Sequence, residues 1–252
     1  MIVAAVQHDI AWEDRDATLA QVEPKVAAAF DAGAGLVVLP EMFAVGFSMA
    51  PERVAEPEGG PTSGWLAAQA RGRGWVCGSV PEQRDGGRPR NVLVLAGPDG
   101  QLERYAKIHP FSYSGEHEHY DAGTDLLSVE VGDVRGAFFV CYDLRFADEF
   151  WGLAPATDVY VVVANWPAAR AAHWRALLVA RAIENQAWVV GCNRVGEGGG
   201  VAYDGGSVIV DPWGNVVADA GDAETTISWD VDPAAVVRIR ERYPFLADRR
   251  AP

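Results

Sequence analysis

The sequence predicts an α/β fold, and three observations carry that expectation. Short apolar runs alternate along the chain with amphipathic or alanine-rich segments, the order that arises when helices cover a largely parallel sheet. Runs such as Leu36-Val37-Val38-Leu39 and Ala137-Phe138-Phe139-Val140 are wholly apolar, as strands buried on both faces are. The 252 residues, 49% of them hydrophobic, suffice for a large core, and no Ser/Gly-rich linker divides them, so 1–252 reads as a single domain.

In order along the chain, a strand is expected near 2–7, from Ile2-Val3-Ala4-Ala5-Val6-Gln7. A helix over 16–32 follows, because Leu19, Val22, Val26 and Phe30 recur at helical spacing. Pro24 forfeits one hydrogen bond within it and predicts a kink, or a helix start, at that point. Next come a strand at 35–39 stopped by Pro40, a helix at 62–72 and a strand at 74–80. Arg84-Asp85-Gly86-Gly87-Arg88-Pro89 reads as a hairpin turn, with Asn91 to Ala96 as the returning strand. Alternation from Gln101 onward marks a short strand ended by the turn His109-Pro110. The run closing at Val140 leads into the turn-like Tyr142-Asp143-Leu144-Arg145. A second clear helix over 173–185 presents Trp174, Leu177, Leu178 and Arg181 before a strand at 187–190. A last strand over 206–210 precedes the turn Asp211-Pro212-Trp213-Gly214.

The formal charge of −14 argues against nucleic acid or an anionic membrane as a main partner. It also requires local positive charge wherever an anionic substrate binds. Cys77, Cys141 and Cys192 are too few and too irregular for a disulfide framework, so a reducing, cytoplasmic setting is expected. The N-terminus has no signal-peptide pattern, and no apolar stretch approaches the ~20 residues that span a bilayer.

Three reactive residues stand at expected strand ends: Glu41 after Pro40, Lys107 after Ala106 and Cys141 after Val140. A thiol with a pKa of about 8.5 is only a few per cent thiolate at neutral pH, so a cysteine nucleophile needs a base or a nearby cation. Glu41 supplies the first and Lys107 the second. Attack on an amide carbonyl creates an oxyanion, for which Lys107 and the backbone N–H of Tyr142 are the candidate donors. Other residues permit other chemistry. His117 and His119, with Glu116, Glu118 and His109, have ligand types that could bind zinc. Cys141 could pair with His109 or His173 as a cysteine–histidine hydrolase, which would leave Lys107 without a role. A binding module that keeps the fold without turnover is the non-enzymatic alternative.

At VVLPEMF (37–43), YAKIHPF (105–111), VCYDLRF (140–146) and the long stretch from Val161 to Gly196, the chain resembles the nitrilase superfamily of carbon–nitrogen hydrolases. Members of that superfamily carry a Glu-Lys-Cys triad in this chain order, and the resemblance covers nearly the whole sequence. The Asn165-Trp166-Pro167 corner, the Cys192-Asn193-Arg194-Val195-Gly196 segment and the loop from Gly115 to Tyr120 look most like bacterial omega-amidases, which hydrolyse the terminal amide of 2-oxoglutaramate and 2-oxosuccinamate. The resemblance implies a four-layer α-β-β-α sandwich, a small-molecule amide substrate, no metal or organic cofactor, and a homodimer. It makes Glu41, Lys107 and Cys141 the triad, and Glu116 a second glutamate that positions the lysine and the attacking water. An amide with a distal carboxylate calls for a guanidinium at the far end of the pocket, with Arg170 and Arg194 as candidates. Phe47, Phe111 and Trp166 are candidate walls. The tail from Tyr243 to Pro252 is expected to cross onto a dimer partner. The runner-up is another amidase, or a nitrilase, acting on a different small acyl group.

Overall fold

In a computed structural model describing residues 1–250, β1 (Ile2–Gln7) sends Val3 and Ala5 into one apolar cluster and Ala4 and Val6 into another. The alternation of a strand thus serves two cores at once. Helix α1 (Arg15–Asp31) covers the second cluster, burying Val22, Val26 and Ala29 beside β1 and β2 (Leu36–Val38). It starts at the Asp14 cap, whose carboxylate accepts from Ala17 N at 3.0 Å, and no new helix begins at Pro24. Two buried valines contribute roughly 1.5–3 kcal/mol each, which offsets the ~3 kcal/mol that an interior proline costs.

The chain continues through α2 (Pro51–Val54), β3 (Glu56–Pro57), α3 (Pro61–Ala70), β4 (Trp75–Gln83), β5 (Arg90–Ala96) and β6 (Leu102–Ala106). After α4 (Glu116–His119) come β7 (Leu127–Val131), β8 (Val134–Val140), α5 (Ala147–Leu153), β9 (Val159–Ala164), α6 (Ala171–Asn185) and β10 (Trp188–Asn193). A separate hairpin of β11 (Val195–Gly198) and β12 (Val201–Asp204) precedes β13 (Val208–Val210), β14 (Val216–Asp219), β15 (Thr225–Asp230) and α7 (Pro233–Arg242).

The first sheet runs β15-β1-β2-β4-β5-β6, with β3 also on β4; the second runs β14-β13-β10-β9-β8-β7. Each has a parallel centre, β1-β2-β4 and β8-β9-β10, flanked by antiparallel edges. One apolar cluster joins Val3, Leu36, Val38 and Leu93 of the first sheet to Phe139, Val163 and Val190 of the second and to Trp174 and Leu178 of α6. With α1 and α3 outside the first sheet and α5 and α6 outside the second, the architecture is the expected four-layer α-β-β-α sandwich.

Two local features add to this frame. The segment after Val140 is a turn of 3-10 helix, Cys141–Arg145. The described part of the tail packs on its own chain: Arg249 donates to Glu184 O at 2.6 Å and to Asn185 Oδ1 at 2.8 Å, and lies 4.3 Å over the Trp151 ring. A guanidinium at the end of α6 satisfies a backbone carbonyl that the helix leaves open. Residues 251 and 252 lie outside the described residues. Among those described, no helix is long and apolar enough to cross a membrane.

Candidate active site

Strand ends from both sheets converge on one pocket. Beyond β2, Pro40 ends the run and delivers Glu41, fully buried, at the carboxyl end of the parallel strands. Beyond β8, Cys141 takes a left-handed φ of 46°, which costs a residue with a β-carbon about 1–2 kcal/mol. Asp143 holds the chain in that turn. Its Oδ2 accepts from Val140 N at 3.1 Å and from the Tyr105 hydroxyl at 2.9 Å, while Oδ1 accepts from His109 N at 2.9 Å. A single carboxylate therefore ties the Cys141 turn to the strand and loop that flank Lys107.

Lys107 is 1% exposed, and its Nζ donates to Glu41 Oε1 at 2.9 Å and to Glu116 Oε2 at 2.8 Å. Asn91, near the start of β5, reaches the same two carboxylates: its Nδ2 donates to Glu41 Oε1 at 2.8 Å and to Glu116 Oε1 at 3.2 Å. Ser79 Oγ in turn donates to Asn91 Oδ1 at 2.7 Å. Asn165, just past β9, donates its backbone N–H to Glu41 Oε2 at 2.9 Å and its side-chain amide to Glu41 O. Phe111 N donates to Glu116 Oε2 at 2.5 Å. Both buried carboxylates are thus fully hydrogen-bonded, as removal from water demands.

Burial opposes the Lys107 ammonium, but Glu116 and Glu41 outweigh it and hold its pKa above the ordinary lysine value. Burial also raises the Glu116 pKa; Lys107 pulls it back and Glu41 pushes it up. The Cys141 thiol is raised well above its usual range, first by burial and then by the Glu41 carboxylate, against the pull of Lys107. Cys141 therefore rests as a thiol beside a carboxylate.

The pocket has a volume of about 270 Å³, and Cys141, Lys107, Phe47, Phe111, Tyr142, Trp166 and Arg170 line it as a group. Arg194 does not line it. Its side chain turns inside the β11–β12 hairpin, fully buried, where Nη2 donates to Asp9 Oδ1 at 2.6 Å and Nε to Val195 O at 3.0 Å. In its place Arg145, on the turn after Cys141, lines the pocket. Asn91, Asp143 and Tyr203 also belong to the site without being candidates from the sequence, and Asn165 takes a role there that the sequence alone does not assign. Asn165 had a signal, since it follows an apolar strand as Glu41 and Cys141 do; Asn91 had none beyond being a polar residue at the head of an apolar run.

The histidines are engaged elsewhere. His109 Nδ1 lies 3.0 Å from Asp143 Oδ1, and His173 Nδ1 lies 3.2 Å from Arg145 Nη2; neither ring lines the pocket. His117 and His119 sit on α4, and among the described residues no group of three or more His, Cys, Asp or Glu side chains is gathered so as to hold a metal ion.

A sandwich of this order, with a strand-end thiol and an ammonium lining one pocket and two buried carboxylates bonded to that ammonium, provides the groups that a hydrolase needs. The chain belongs to the carbon–nitrogen hydrolase family, which it matches over residues 2–241. It is 38% identical to an omega-amidase of Escherichia coli over 98% of this chain and 95% of that protein. It is 34% identical to a 2-oxoglutaramate amidase of Bacillus subtilis over 86% of this chain and 85% of that one. Its fold matches a carbon–nitrogen hydrolase superfamily protein of Xanthomonas campestris, which carries an arsenic adduct in its active site, with a TM-score of 0.94 and 34% identity, covering 100% of this chain and 97% of that one.

Proposed function

We propose that the protein is an amidase that releases ammonia from the terminal amide of a small 2-oxo acid amide, 2-oxoglutaramate or 2-oxosuccinamate, leaving the 2-oxo dicarboxylate. One observation carries this reading: Cys141 shares its pocket with two arginines, Arg145 and Arg170, that have no carboxylate partner among the described residues. Their guanidiniums lie instead over aromatic rings, Arg145 4.9 Å from the Trp166 centroid and Arg170 5.2 Å from that of Phe111. In a chain of net charge −14, two such cations beside a nucleophile favour a substrate with a distal carboxylate. The omega-amidase and 2-oxoglutaramate amidase relatives support the same substrate class.

In the proposed reaction Glu41 takes the Cys141 proton as sulfur attacks the amide carbon, and Lys107 with the Tyr142 N–H holds the oxyanion. Collapse breaks the carbon–nitrogen bond, and Glu41 returns the proton to the departing ammonia. Water, activated by Glu41 and oriented with Glu116, then attacks the thioester and frees the acid. Phe47, Phe111 and Trp166 wall the acyl chain. The test is ammonia release from 2-oxoglutaramate beside glutamine, asparagine, aliphatic amides, carbamoyl amino acids and nitriles, with Cys141→Ala as blank. Cysteine-dependent release confined to the 2-oxo acid amides is expected; faster release from another member of the panel overturns the substrate assignment.

We further propose that residues 1–252 act as one domain in a cytoplasmic homodimer. The three free thiols support the compartment. Exposed apolar side chains on the α5–α6 side, Trp151, Ile183, Trp213 and Phe245, support self-association. Sedimentation as a monomer at every concentration would overturn the dimer.

A further inference from the structure

Four tyrosines are buried in this chain, and three of them donate to a protein acceptor: Tyr105 to Asp143 Oδ2, Tyr120 to Ser48 O and Tyr160 to Phe150 O. Tyr203 is the exception. It is 5% exposed and lines the pocket, yet among the described residues its hydroxyl has no hydrogen-bond partner. A buried phenol normally finds one, so a hydroxyl left open toward a substrate pocket is a donor kept for the ligand.

The ring is held from behind. Arg194 Cζ lies 4.6 Å from the Tyr203 centroid, close enough for a cation–π contact, and Nη1 of that guanidinium is buried without a hydrogen-bond partner among the described residues. The rest of the guanidinium is clamped, Nη2 to Asp9 Oδ1 at 2.6 Å and to Glu197 O at 3.0 Å, Nε to Val195 O at 3.0 Å. The cage is tight, since a β-carbon on Gly198 would come within 2.7 Å of Nη1. Arg194 thus fixes the hairpin whose second strand carries Tyr203.

The charges around the phenol locate it. Burial raises its pKa most, to about 12; Arg194 opposes this, Glu41 and Cys141 add to it and Arg170 also opposes it. The group therefore remains a neutral donor at working pH and feels both the reacting end of the pocket and its cationic end. A 2-oxo acid amide lying between Cys141 and the arginines has one acceptor between its amide and its carboxylate, the 2-oxo oxygen.

We infer that Tyr203 determines specificity by donating a hydrogen bond to the 2-oxo group of the substrate, and that Arg194 is the positioning residue that holds it there. The inference rests on the substrate reading above. It is tested with the kcat/KM ratio for 2-oxoglutaramate over glutaramate, the same monoamide without the oxo group. Tyr203→Phe is expected to lower that ratio about tenfold or more, chiefly through KM, because a hydrogen bond made in both ground and transition states is lost. A wild-type enzyme that discriminates, with an unchanged ratio in Tyr203→Phe, overturns the role of Tyr203 alone. A wild-type ratio near one overturns the substrate reading, and this inference with it.

For Arg194 the test is a cycle. Arg194→Lys should lower the ratio, and the double variant should show the ratio of Tyr203→Phe alone. Losses that simply add would overturn the relay. Should Arg194→Lys fail to fold in a melting experiment, Asp9→Asn, which loosens the same clamp from its half-exposed side, takes its place in the cycle.

Discussion

The side-chain amide of Asn91 donates to Glu41 Oε1 at 2.8 Å, from a position that the Ser79 hydroxyl fixes at its other end. The proposed base is thus held by a neutral donor as well as by Lys107, so its orientation does not depend on the ammonium alone. Leaving one buried charged partner short of a hydrogen bond costs about 1–3 kcal/mol. Asn91→Ala is therefore expected to lower kcat by about 10- to 100-fold in an ammonia-release assay, with circular dichroism unchanged. An unaltered kcat would mean that Lys107 and Asn165 suffice to orient Glu41.

Cys141→Ala is expected to abolish turnover in folded protein, and Glu41→Gln and Lys107→Ala to be nearly as damaging, because groups acting as one unit lose their effect together. A deficit below about tenfold, ~1.4 kcal/mol in barrier, for any of the three would sink the triad. Cys77 and Cys192, buried away from the pocket, serve as controls whose alanine variants should keep the chemistry.

Arg145→Ala and Arg170→Ala should each raise KM for the 2-oxo acid amide by about 10- to 100-fold, the effect expected when a charge-assisted hydrogen bond to a carboxylate is lost. Initial rates with a neutral aliphatic amide provide the comparison. Equal losses on both substrates would indicate that the arginines shape the pocket and do not grip an anion.

Acid stability should report His8, which is fully buried. Burial lowers its pKa to about 4, opposed by the hydrogen bond to Asp9 O, whereas the unfolded chain titrates near the ordinary 6.5. Between those values the unfolded state binds a proton that the native state excludes, so stability is complete above pH 6.5 and is lost as pH falls toward 4. About 2 kcal/mol should be gone by pH 5, before most carboxylates titrate. Urea midpoints between pH 7 and 5 measure the slope, and in His8→Gln it should be absent.

The strand ends were the legible part of this molecule. Pro40-Glu41 and Val140-Cys141 announce themselves, since an apolar run that stops on a reactive side chain sets both its place in the sheet and its exposure. The direction of a long side chain carries no such signal. Arg170 and Arg194 look alike in the sequence, but the hairpin fold turns Arg194 inward to the carbonyls of Val195 and Glu197 while Arg170 stays in the pocket. Asn91 was hidden for a related reason: its partners, Glu41 and Glu116, lie 50 and 25 residues away. At Pro24 the helix continues without a new start, because the packing of Val22 and Val26 outweighs the local preference of proline.

Glu41, Asn91 and Lys107 come from the ends of one sheet, whereas Cys141 and Asn165 come from the ends of the other. The pocket is in effect a gauge of how the two sheets are seated. A slip of an ångström at their interface would leave every strand intact and the far-ultraviolet spectrum unchanged, yet would part the thiol from Glu41, its proposed base. On gentle heating or in dilute denaturant, enzymatic activity should therefore disappear before secondary structure does.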